Sequence, residues 1–168
     1  NGLYSGSGYT YPGLGLIEPN SPLAPVPAQP GDNLDAYDHD QSFLPVLMRP
    51  YFSLDGSFVD PLTGIPNSGS AAAHGVGAAD ILVPNPLGAT PIVWAPAPAL
   101  GLDLFGLIGD DIDALVIREN GNGVYDPMIQ PQDWLTGVSD MVVFSVRRGS
   151  PVIGLPDSIC GVPIEEGD

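Results

Sequence analysis

Short apolar runs, broken by glycine and proline, recur along this chain, and they read as strands rather than helices. Met141-Val142-Val143-Phe144-Ser145-Val146 is the clearest. It is β-branched and aromatic, too short for a typical helix, and closed by Arg147-Arg148-Gly149. Ile112 to Ile117 is second, and strict alternation sets Asp113 on the face opposite Ile112, Ala114 and Val116. Further strands are predicted at Leu34 to Asp38, Pro50 to Asp55, Asp80 to Val83 and Pro91 to Ala95. The last is expected at an edge or to be irregular, because prolines flank it. Leu3 to Tyr11 suits short strands through its aromatics and Thr10. The prolines between Pro19 and Pro30 keep that stretch extended. No amphipathic helix is predicted: Pro96, Pro98, Gly101 and Gly106 interrupt Ala95 to Leu107, and Ser70 to Ala79 suits one helical turn.

The pattern occurs twice. Gly31-Asp32-Asn33-Leu34-Asp35-Ala36 returns as Gly109-Asp110-Asp111-Ile112-Asp113-Ala114. Leu14-Gly15-Leu16 precedes the first copy as Leu100-Gly101-Leu102 precedes the second. Tyr51-Phe52-Ser53-Leu54 follows the first as Val143-Phe144-Ser145-Val146 follows the second. Gly75-Val76 leading to Asp80 is echoed by Gly161-Val162 leading to Asp168. Such recurrence implies a duplicated supersecondary unit. The expected fold is all-β, with two similar antiparallel four-strand units of about 80–90 residues, blade-like as in a propeller or packed as a sandwich. Residues 1–30 would complete the first unit, residues 31–108 form it, and residues 109–168 form the second. The second would be incomplete at its C-terminal end, since its third strand would begin at Asp168. It also carries extra residues between its first two strands, roughly Glu119 to Asp140. Long loops on rigid β scaffolds are where function tends to sit.

Composition narrows the partners. There are 20 acidic residues against 4 basic ones, a formal net charge of −16, and the basic residues are all arginine. A surface this anionic repels phosphate backbones and anionic lipid, so neither nucleic acid nor membrane insertion is expected. No apolar run is long enough to span a bilayer. Cations, cationic partners and neutral sugars stay open, as does the simpler view that the acidic residues keep the protein soluble. Cys160 is the single cysteine, which excludes an intrachain disulfide; a small buried apolar residue is the expected role. The chain begins at Asn1 and reads as a mature or trimmed product of a secreted or cell-surface bacterial protein.

The acidic residues cluster. Asp32 and Asp35 stand with Asp38, His39 and Asp40, and Asp110, Asp111 and Asp113 hold the matching place in the second copy. Carboxylates at a turn can bind Ca2+ through oxygen ligands. They can equally accept turn amides and fix a bend, and recurrence of Asp35 and Asp113 favours that structural role. Asn120-Gly121-Asn122-Gly123-Val124-Tyr125-Asp126 resembles part of a calcium loop of the dockerin or EF-hand kind. The resemblance would make Asn120, Asn122 and Asp126 ligands, but Arg118 stands where a carboxylate belongs and Ile129 where a bidentate Glu belongs. A plain turn is the favoured reading. Of Arg147 and Arg148, one is expected to pair with an Asp of a neighbouring strand.

Trp134 and Tyr125 in the insert, and Trp94, are the candidates for stacking on a sugar or anchoring a partner, weighed against ordinary burial. Enzyme signatures are poor. No Gly-x-Ser-x-Gly frames a serine, no Cys or His stands at metal spacing, and adjacent carboxylates alone are a weak acid–base signal.

Asn33 to Ala36, Phe52-Ser53, Ala79 to Leu82, Asp111 to Leu115 and Phe144-Ser145 together resemble the units of secreted bacterial repeat proteins, over roughly residues 31–168. The resemblance implies secretion and a repeat fold, and no reaction. The expected function is therefore an extracellular structural or assembly protein without catalysis. Its partners would be copies of itself or neighbouring cell-surface proteins. A carbohydrate- or ligand-binding module is the alternative, ahead of a hydrolase using the Asp clusters.

Overall fold

The six strands predicted from Leu34 onward come together in two antiparallel sheets. The computed structural model describes residues 14, 16, 34–39, 49–57, 59, 64, 69–87, 90–104, 109–130, 132–156 and 161–165. Leu3 to Tyr11, Asp32, Cys160 and Asp168 lie outside the described residues. The strands are β1 (Leu34–His39), β2 (Pro50–Leu54), β3 (Ile81–Val83), β4 (Ile92–Ala95), β5 (Ile112–Arg118) and β6 (Met141–Val146). Strands β1 to β4 form one sheet in chain order, and β5 and β6 form the other. The fold is thus all-β with little helix. Among the described residues neither sheet closes into a barrel or a propeller, and the second sheet has two strands.

The two hairpins share a register. In the first, Leu34 pairs with Leu54 and the next pair is Tyr37 with Phe52. In the second, Ile112 pairs with Val146 and the next pair is Ala114 with Ser145. Each time the leading strand carries one residue more than its partner, which is a β-bulge beside Asp35 and beside Asp113. The bulge corrects the alternation expected for β5. Leu115 and Ile117 face inward, whereas Asp113, Ala114 and Val116 are all exposed, because the extra residue shifts the phase of every side chain after it.

The inner strands of the four-stranded sheet are covered on both faces, which is why β3 is apolar throughout and β2 is apolar apart from Ser53. Tyr51, Ile81 and Val83 face β5 and β6, and bury Ile112, Leu115, Ile117 and Val146 beside Trp94 and Leu102. Phe52, Leu54 and Leu82 face the other way, under Leu14 and Ala71. Ala71 belongs to the short helix α1 (Ser70–His74), which ends where Gly75 turns to a φ of 71°. Side chains tie the sheets together. Ser53 Oγ accepts the Ala36 N–H at 3.1 Å and donates to the Ile112 carbonyl at 3.0 Å.

Candidate functional site

Three carboxyl groups converge where the sheets meet. Asp35 sits at the β1 bulge, Asp55 directly follows β2 and Asp111 directly precedes β5. One oxygen of each lies within 4.8 Å of the others. Among the described residues no other group of three or more His, Cys, Asp or Glu side chains comes this close. Asp111 is 1% exposed and Asp55 5%. Asp111 Oδ2 accepts the Gly56 N–H and the Arg147 Nε–H, both at 3.2 Å. The expected pairing of one arginine with a neighbouring Asp is thus this ion pair.

Asp111 Oδ1 and Asp35 Oδ2 are buried, and among the described residues no backbone, hydroxyl or cationic donor reaches either. Burial pushes the Asp35 carboxyl up to about 8, helped by a hydrogen bond to Asp111 and by the charges of Asp111, Asp55 and Asp113. Burial also raises Asp111, opposed by its bonds from Asp35 and Gly56 and by Arg147. Both shifts favour the protonated form of a carboxyl group at this junction.

Gly56 is part of the fit. A Cβ at this position would lie 3.0 Å from the Ala78 Cβ and 3.1 Å from Asp111 Oδ2, so any side chain here would displace the carboxylate.

The remaining acidic candidates do other things. Asp110 accepts the Val152 N–H at 2.9 Å and the Asp103 N–H at 2.7 Å, fixing two turns. Asp113 is exposed, near enough to act on Asp35 but outside the trio. Asp55 escaped the sequence reading because it ends a different strand, and Arg147 fills the matching place after β6.

The insert holds a second polar cluster. Asn120 Oδ1 accepts the Asn122 N–H, and Asn122 Oδ1 accepts the Val124 N–H, two successive Asx turns. Both carboxamides donate to Asp126 Oδ2, at 2.8 and 2.6 Å. Asp140 clamps the base by accepting the Asn120 and Asp126 N–H groups at 2.8 and 2.7 Å. Glu119 accepts the Gly121 and Gly123 N–H groups. Asn120, Asn122 and Asp126 are thus brought together, with their oxygens engaged by the loop's own donors. Glu119 and Asp140 complete the cluster and were missed as functional candidates, although they bracket the insert.

The aromatic candidates fall in two places. Trp94 is 8% exposed and lies edge-on between Tyr51, at 4.7 Å between centroids, and Tyr125, at 5.1 Å. The Tyr125 hydroxyl donates to the Ala99 carbonyl at 3.4 Å. Trp134 lies in a 3-10 turn (Asp133–Thr136), with the Arg118 guanidinium 5.3 Å from its ring centre.

Comparison with protein-family models, curated proteins and solved structures gave no match to this chain. Among the described residues no helix is long and apolar enough to cross a membrane.

Proposed function

We propose that this chain is an extracellular structural protein without catalysis that assembles with copies of itself along open sheet edges. One observation carries this reading. The outer edges of β4 and β6 pair with no strand among the described residues, and apolar side chains stand exposed on both strands. Ile92 on β4 is 46% exposed, and Val143 on β6 is 55% exposed directly opposite exposed Val116. An unpaired apolar edge is a template for another strand. The matched bulges support reading the hairpins as parts of two similar four-strand units. Their apposition across Ile112, Leu115 and Trp94 favours sandwich packing over blades.

Light scattering over a concentration series tests the assembly. Oligomers that grow with concentration and dissolve on Ile92→Lys or Val143→Lys are expected. A monomer throughout would overturn the proposal.

A binding role at Trp134 is the second reading, favoured by its place beside exposed Leu135 and Val138 on the insert. A neutral glycan that shifts the tryptophan fluorescence, and fails to do so after Trp134→Ala, would support it.

A further inference from the structure

We propose that Asp35, Asp55 and Asp111 together bind one hard divalent cation, of calcium's size, at the junction of the two sheets. Four features of the junction point to an ion there. Three carboxyl groups from three separate strands bring oxygens within 4.8 Å of one another, and Arg147 brings one positive charge to them. Asp111 is 1% exposed, and no backbone, hydroxyl or cationic donor reaches its Oδ1, although Oδ2 receives two. Asp35 presents a second buried oxygen that only a neighbouring carboxyl group can serve. Gly56, having no Cβ, lets the Asp111 carboxylate keep its place against the backbone at this junction.

The chemistry of the donors selects the ion. Carboxylate oxygens without thiolate or imidazole favour calcium or magnesium over zinc or copper. Calcium holds its oxygens at about 2.3–2.6 Å, so ligands on opposite sides of it stand up to about 5 Å apart. Magnesium, at about 2.0–2.1 Å, holds them no farther apart than about 4.2 Å and gives up its waters reluctantly. Calcium accepts irregular geometry and six to eight oxygens, so three carboxyl groups from separate segments suit it better than magnesium, and water would complete its shell. The site differs from the partial calcium loop that residues 120–126 resemble, where Asn120 and Asn122 turn their oxygens toward the loop's own amides. Because the ligands come from β1, the end of β2 and the start of β5, the ion would bind the packed sheets and not the unfolded chain. It would therefore stabilise the fold by mass action.

Calorimetric titration of the full chain, stripped with chelator, using CaCl2 and then MgCl2, tests this together with thermal unfolding in each condition. One calcium per chain is expected, with a rise in Tm on adding calcium and tenfold or weaker affinity for magnesium. Asp111→Asn and Asp35→Asn are each expected to weaken calcium at least tenfold, whereas Asp126→Asn in the insert leaves it unchanged. Should Asp111→Asn fail to fold, Asp35→Asn carries the test, since Asp35 is only half-buried. No heat and no Tm shift at millimolar calcium or magnesium would overturn the proposal. So would binding that survives Asp35→Asn and disappears in Asp126→Asn. A third overturning result is a chain that ignores calcium and is stabilised in chelator by Asp35→Asn, which would mark the junction as a shared-proton pair only.

Discussion

Asp38 Oδ2 accepts the backbone N–H of Ile117 at 2.6 Å, joining β1 of one sheet to β5 of the other. Ile117 pairs with Val142 in the β5–β6 ladder, and this N–H serves the opposite side of β5. A carboxylate thus stands in for a neighbouring strand, and satisfies a donor that would otherwise be stranded beside the core.

Replacing Asp38 with Ala is expected to cost about 1–3 kcal/mol, the penalty for leaving a buried donor unpaired. Urea unfolding should show a lower midpoint with an unchanged slope. Asp38→Asn keeps an acceptor and should lose less. An unaltered midpoint in Asp38→Ala would mean that the bond is not formed in solution.

Ser53 and Ser145 hold matching places in the two hairpins, yet they should respond differently to Ala. Ser53 is fully buried and bridges Ala36 to Ile112, so its loss leaves a donor and an acceptor unsatisfied, at about 1–3 kcal/mol. Ser145 is half-buried, and its replacement should stay within about 0.5 kcal/mol. Equal losses, measured side by side by denaturant unfolding, would refute the distinction.

The strands were legible where composition speaks locally. Ile112 to Ile117 and Met141 to Val146 are β-branched apolar runs of strand length, and both form as expected. The bulges were not legible, because an extra residue in one strand has no signature until its partner's register is known. That is why Ala114 and Val116 were expected on the wrong face. Asp35 and Asp111 stood out as members of acidic clusters. Their meeting with Asp55 did not, since it depends on three strand ends distant in sequence. The covering of the first sheet on both faces hid the alternation of β2 and β3, leaving their length, and for β2 its recurrence in β6, to identify them.

Asp140 should control the order of the insert. It is 1% exposed and accepts the two amides that close the loop. In Asp140→Ala the amides of Asn120 and Asp126 are expected to exchange with solvent at least tenfold faster, while those of β2 and β3 keep their protection. Unchanged exchange at both amides would show that other contacts hold the loop.

Tyr125 sets an alkaline limit. Burial first, and then the charge of Asp140, push its hydroxyl up to about 12, above the ordinary value of 10.0. Below the ordinary value the phenol is neutral in the folded and unfolded chain alike, and its full contribution is present. Between the two values the unfolded chain ionises first, so stability falls as pH rises through that window. Phenolate absorbance should show a late ionising step that Tyr125→Phe removes. A step at the ordinary tyrosine value would place this ring in water.

The positions directly after β2 and β6 carry opposite charges: Asp55 in one hairpin and Arg147 in the other. That difference makes the hairpins non-interchangeable. A chain with aspartate at both positions would crowd a fourth carboxyl group against Asp111 and remove the guanidinium that pairs with it. A chain with arginine at both would set two cations around one buried anion. Two hairpins alike in backbone can pack here only by being unlike at this one place, so perfect internal symmetry would be self-defeating for this molecule.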